Sequence, residues 1–156
     1  MKIFYDNVSK EYKYPLSKND VTYLRNIVEQ DIWERIRHVR FGCNTKTTQE
    51  GRIVQKGRFY DIRINFCLNG SRTLILSEQK EYLNNISKFG GRIELSERFV
   101  YWKEDDAKRY GIFLLLHEIG HIKYCESRLG GKMQGKTTNA EEQYCDNFAF
   151  EGLKKL

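Results

Sequence analysis

The chain of 156 residues is 40% hydrophobic, 13% aromatic and 31% charged, which suits one domain with a real core and excludes a disordered chain. Its formal charge is +6, and the excess sits early: residues 1–63 carry 13 basic against 8 acidic side chains, whereas residues 64–156 carry 14 against 13. The longest apolar run, residues 112–116, is too short for a membrane span, and the first residues lack the apolar stretch of a secretion signal. The expectation is therefore a soluble, cytoplasmic protein without membrane contact.

Ser17 and Asp20 form a helix N-cap pair, and Val21, Leu24, Ile27, Val28 and Ile32 recur at helical spacing, so a helix is expected over residues 18–33. Strands follow at 36–41 and 52–55. A clearer one spans 59–66, where Ile62, Ile64 and Phe66 alternate with Arg63 and Asn65. Asn69-Gly70 marks a turn into a strand at 73–76, residues 78–89 read as a helix closed by Gly90-Gly91, and 92–95 as a short strand.

Asp105 and Asp106 open a long helix reaching about residue 126. Its middle is apolar on nearly every face, through Ile112, Phe113, Leu114, Leu115, Leu116, Ile119 and Ile122, the mark of a buried helix. A Gly- and Lys-rich loop at 127–137 leads to a last helix opened by Thr138 and Glu141. The order is that of a single α+β domain over 1–156: an N-terminal helical segment at 1–35, a strand-rich part at 36–95, and helices in 105–156.

Cys43, Cys67, Cys125 and Cys145 include no Cys-x-x-Cys pair, which removes support for zinc ribbons and thioredoxin-type redox motifs. Without a secretion signal, four reduced and mostly buried thiols are expected.

The chemistry concentrates in His117-Glu118-Ile119-Gly120-His121. Histidines at i and i+4 share a helix face about 6 Å apart along the axis, so both rings can reach one zinc ion. Zinc accepts imidazole and carboxylate donors in a tetrahedron, with water in the fourth position of a catalytic site. Glu118, beside the first histidine, is placed to take a proton from that water.

A third ligand is expected downstream, where Glu142 and Asp146 lie one turn apart. Glu142 can bind the metal, and Asp146 can accept the free ring N–H of a ligand histidine. Glu141 competes with Glu142, since both flank the apolar face of Cys145, Phe148, Ala149 and Leu153. The carboxylate at i+4 favours Glu142, and Glu141 fits a solvated acidic first turn.

These segments resemble the gluzincin type of zinc metallopeptidase, most of all the small members around the ImmA/IrrE group. The resemblance rests on His117 to His121 and on Glu142 to Ala149, whose Glu-x-x-Cys-Asp-x-Phe-Ala is similar to that group's Glu-x-x-Ala-Asn/Asp-x-Phe-Ala. With the strand-then-helix lead-in from Arg92, it covers about a third of the chain. It implies a zincin-like fold, in which a small, twisted, mostly antiparallel sheet lies beside the buried metal-binding helix. It also implies Zn2+ at His117, His121 and Glu142, Glu118 as general base, and a protein or peptide substrate paired with an edge strand at Arg92, Ile93, Glu94 and Leu95. Cys145 stands in place of the group's alanine, Lys123 where its helices are uncharged, and no helix-turn-helix domain is attached.

An oxyanion donor is not singled out; Tyr110, Tyr124, Tyr144 and His38 are available. Gly130 to Thr137 fits a phosphate-loop pattern, but a helix precedes it where the chemistry needs a strand. Cys125 continues the histidine stripe yet lies about 12 Å along the axis from His117, beyond the reach of one ion. Two further readings use the basic half to dock DNA or an acidic protein: a non-catalytic, zinc-stabilised binding module, and a DNA-associated protease of the SprT-like kind. No aromatic-interleaved basic motif accompanies that charge, and a solvated surface accounts for it as well.

Overall fold

Alternating and helical hydrophobic patterns sort the chain into two sheets and two long helices. The computed structural model describes residues 1–43 and 49–156. In chain order run β1 (Lys2–Tyr5), β2 (Tyr12–Lys13), α1 (Lys18–Tyr23), α2 (Gln30–Trp33), β3 (Ile36–Gly42), β4 (Gly51–Lys56) and β5 (Phe59–Asn65). Then come β6 (Leu68–Asn69), β7 (Arg72–Leu74), α3 (Lys80–Lys88), β8 (Arg92–Glu94), β9 (Phe99–Tyr101), α4 (Glu104–Arg128) and α5 (Asn139–Leu153).

The α+β class holds, but the strands form two sheets in place of one. The first, in order β1-β3-β5-β4, is mixed: β1 and β5 run parallel to β3, and β4 returns antiparallel to β5. Gly57, at φ 62°, supplies the left-handed residue of the tight β4–β5 turn. The second sheet, in order β2-β6-β7-β9-β8, is antiparallel. The segment 1–35 is therefore only partly helical, because β1 and β2 belong to the sheets.

Period-two alternation turns Val39, Phe41, Ile62 and Ile64 inward to a core shared with α4. The opposite face carries Arg40, Arg63 and Arg52 in register. Asp6 pairs with both Arg40 (3.0 Å) and Arg63 (2.8 Å), and Arg37 pairs with Asp61. Part of the early charge excess is thus neutralised within the sheet.

The helix expected over 18–33 breaks. Ser17 and Asp20 form the capping box, but a 3₁₀ turn occupies Leu24–Asn26, and Glu29 has extended backbone before α2. Val21, Leu24, Val28 and Ile32 are all buried, so packing keeps the spaced residues inward although β-branched Ile27 and Val28 give the helix little support. The cysteine expectation also changes. Cys43, just past β3, and Cys67, just past β5, are joined as a disulfide with Cα atoms 5.3 Å apart, while Cys125 and Cys145 are buried and free. Adjacency of the parallel strands β3 and β5 brings the pair together, which spacing along the chain cannot reveal. Among the described residues no helix is long and apolar enough to cross a membrane.

Helix α4 is buried along most of its length and packs against α5, β4 and β5. Gly120 makes the α4–α5 approach possible: a Cβ there would lie 3.0 Å from the Cα of Cys145 and 3.3 Å from its Cβ. Gly120→Ala is expected to destabilise the fold by about 1–3 kcal/mol, because overpacking against backbone outweighs the better helix propensity of alanine. Chemical denaturation measures the difference; an unchanged midpoint would contradict the tight crossing.

Candidate metal centre

Helix α4 presents His117 and His121 on the face turned to α5, their rings 5.1 Å apart between centroids. On α5, Thr138 caps the helix by accepting the Glu141 N–H at 3.1 Å. The reciprocal arm of a capping box is missing, because the Glu141 side chain turns inward. It is 2% exposed, and its Oε2 accepts from His121 Nδ1 at 2.5 Å. Asp146 Oδ1 does the same for His117 Nδ1 at 2.8 Å.

An ionised carboxylate can only accept, so each Nδ1 carries a proton and each Nε2 points elsewhere. Both Nε2 atoms face Glu142, with His117 Nε2 3.0 Å from Oε2 and His121 Nε2 3.7 Å from Oε1. A carboxylate facing two imidazole nitrogens needs positive charge beside it, which a protonated His117 donating from Nε2, or a bound cation, supplies. Donors about 2.0–2.1 Å from a tetrahedral ion are about 3.3 Å from each other, and the two observed separations bracket that edge.

The electrostatics agree. Burial acts to lower the pKa of His117, but its bonds to Asp146 and Glu142 prevail and push it up to about 10. The bond to His117 holds Glu142 down at about 2 against burial, with help from Thr137. Thr137 Oγ1 donates to Glu142 Oε1 at 2.8 Å and so orients the carboxylate. Glu118 is 7% exposed, and burial pushes its carboxyl up, opposed by the charges of His117 and His121. Its carboxylate lies on the backbone of Gly51 in β4, where any Cβ would overlap it.

Among the described residues, the group identified as able to hold a metal ion is His117, His121 and Cys145, their donor atoms all within 4.8 Å of one another. Cys145 is fully buried, and burial together with Glu142, Glu141, Glu118 and Asp146 pushes its thiol far up, which disfavours thiolate.

The histidines open onto a cleft of about 1120 Å³ between β4, α3, α4 and the α4–α5 connection. Glu118, Glu142 and Asp146 line it with them. Arg92, Ile93, Glu94 and Leu95 do not: β8 is the edge of the second sheet, and β4, the edge of the first, borders the cleft. Of the four oxyanion candidates only Tyr110 lines this cleft; Tyr124 and Tyr144 meet edge to face, and His38 lies on β3 against Phe4. The glycine-rich stretch follows α4, as expected, and is strapped to β4. Gln55 Nε2 donates to the Gly131 carbonyl at 2.7 Å, and Met133 N–H to Gln55 Oε1 at 2.9 Å.

Sequence reasoning missed Glu141 as a partner of His121, Thr137 as a partner of Glu142, and β4 as the cleft edge. A glycine at the mouth of a strand, Gly51, was the one available signal for the last. A comparison with protein-family models, curated proteins and solved structures finds no match to this chain.

Proposed function

We propose that the chain is a zinc-dependent metallopeptidase of zincin-like fold, with His117, His121 and Glu142 as ligands and Glu118 as general base. The observation that carries this reading is the pair of ring nitrogens facing Glu142 while each opposite nitrogen is held by its own carboxylate. Such carboxylate–histidine pairs fix the tautomer and raise ligand basicity around zinc. The donor set of two imidazoles and a carboxylate suits zinc better than calcium or magnesium, which favour oxygen ligands.

A zinc ion there supplies a Lewis acid and lowers the pKa of water toward neutrality. Glu118, held on the Gly51 backbone, takes the proton of the attacking water. It then delivers that proton to the leaving nitrogen of the peptide bond. The edge of β4, unpaired with a further strand among the described residues, offers backbone groups to an extended substrate, in the role expected of residues 92–95.

Because Gly51 carries the close approach, Gly51→Ala is expected to displace the Glu118 carboxylate. Turnover should fall about ten- to a hundredfold with zinc content unchanged, the range lost when catalytic groups shift by about 1 Å. Kinetics beside metal analysis check this, and wild-type turnover would show that the contact does not position the base.

The reading is tested by incubating zinc-loaded protein with unfolded casein. Cleavage that a chelator stops and added zinc restores is the expected result; no cleavage at any zinc concentration would overturn it. A non-catalytic, zinc-stabilised module has less support, since it gives no reason to bury Glu118 at an unfavourable pKa.

A further inference from the structure

Past Gly51 the cleft continues into a recess between the start of β4, α3 and the first half of α4. Glu50, Tyr82, Asn85, Tyr110 and Phe113 line it. Glu50 is the charge there. Its Oε1 accepts from the Tyr110 hydroxyl at 2.5 Å, and no cation pairs with it among the described residues. Burial pushes its carboxyl up to about 7, opposed by the bond to Tyr110, and burial followed by the Glu50 charge raises Tyr82. The recess thus combines a desolvated acid with aromatic walls and lies one residue from the glycine that seats Glu118.

Resting on the peptidase reading, we propose that Glu50, walled by Tyr82, Tyr110 and Phe113, forms a subsite for a lysine or arginine side chain within one or two residues of the cleaved bond. A long cationic side chain lays its methylenes along aromatic surface and brings its charge to a carboxylate that, among the described residues, has only a hydroxyl for side-chain partner. A neutral side chain leaves that carboxylate desolvated and unpaired, and an acidic one adds repulsion, so discrimination has both an attractive and a repulsive element. Pairing with the β4 edge alternates substrate side chains, which directs one of them past the Glu50 end. A purely structural Glu50–Tyr110 bond would confer no preference at all.

Binding and cleavage are measured separately. Zinc-loaded Glu118→Gln protein, whose turnover is expected to be at least about a hundredfold slower, is titrated with fluorescent peptide pools of random neutral sequence carrying one arginine, one norleucine or one glutamate at the centre. The arginine pool is expected to bind about tenfold more tightly than the norleucine pool, with the glutamate pool weakest. Adding Glu50→Gln, whose amide oxygen still accepts from Tyr110, should erase the difference, while Tyr110→Phe should keep it. Equal binding of the arginine and norleucine pools, or a preference that survives Glu50→Gln, overturns the subsite. The comparison of pools on the Glu118→Gln protein suffices even if the second substitution prevents folding. If the arginine preference is present but the intact protein cleaves none of the pools, the subsite stands and the peptidase reading falls.

Discussion

Glu118→Gln is expected to lower kcat about a hundred- to ten-thousandfold while leaving one zinc per chain, the range that a general base contributes. The substitution preserves shape and removes only the ability to hold a proton. Glu118 lies against Gly51, and its charge interacts with those of His117, His121 and Glu142. The stability of the variant has a definite sign. Burial pushes the Glu118 carboxyl up, so its ionised form opposes folding at neutral pH. That penalty is fully developed above the folded pKa and vanishes below the unfolded one, so metal-free Glu118→Gln protein should match or exceed the wild type in melting temperature at pH 8. Kinetics, metal analysis and thermal melts on one preparation check all three expectations. Retained turnover would remove Glu118 from the chemistry.

Glu142→Ala is expected to weaken zinc binding by more than about a hundredfold, beyond the loss of about ten- to a hundredfold expected for Asp146→Asn or Glu141→Gln. The ordering follows from what each carboxylate touches. Glu142 faces both Nε2 atoms, whereas Asp146 and Glu141 each hold one Nδ1. Cys145→Ala tests the competing His117, His121 and Cys145 group, and with Glu142 as the third ligand it should leave the affinity unchanged. Competition against a chromophoric chelator ranks the four variants. If Cys145→Ala proves the most damaging, the ligand set is His117, His121 and Cys145.

What could be read from the sequence was local. The i, i+4 histidines, Glu118 between them, and Glu142 with Asp146 one turn apart are spacing facts, and the structure brings all five side chains to one cleft. Glu141 was misjudged because its spacing from Thr138 is that of a cap partner, and only the α4–α5 packing shows its carboxylate turned to His121 instead. The expectation of a cleft edge at residues 92–95 comes from the family resemblance, which implies an edge strand beside the metal-binding helix. Strand order, however, is set by pairing between distant segments, and β4 meets α4 with Gly51 against the Glu118 side chain. The Cys43–Cys67 disulfide was hidden in the same way, since it depends on β3 and β5 lying side by side. The helix over 18–33 failed for another reason. Its buried residues are correctly spaced, but a turn at 27–29 satisfies the same packing, and hydrophobic periodicity does not distinguish the two.

X-ray absorption at the zinc edge, on protein loaded with a single equivalent, measures the ligand set directly. The expected spectrum has only nitrogen and oxygen scatterers at about 2.0–2.2 Å, with the signature of two imidazoles. A sulfur scatterer at about 2.3 Å would place Cys145 in the coordination sphere, and protein that retains no zinc would contradict the metal centre itself.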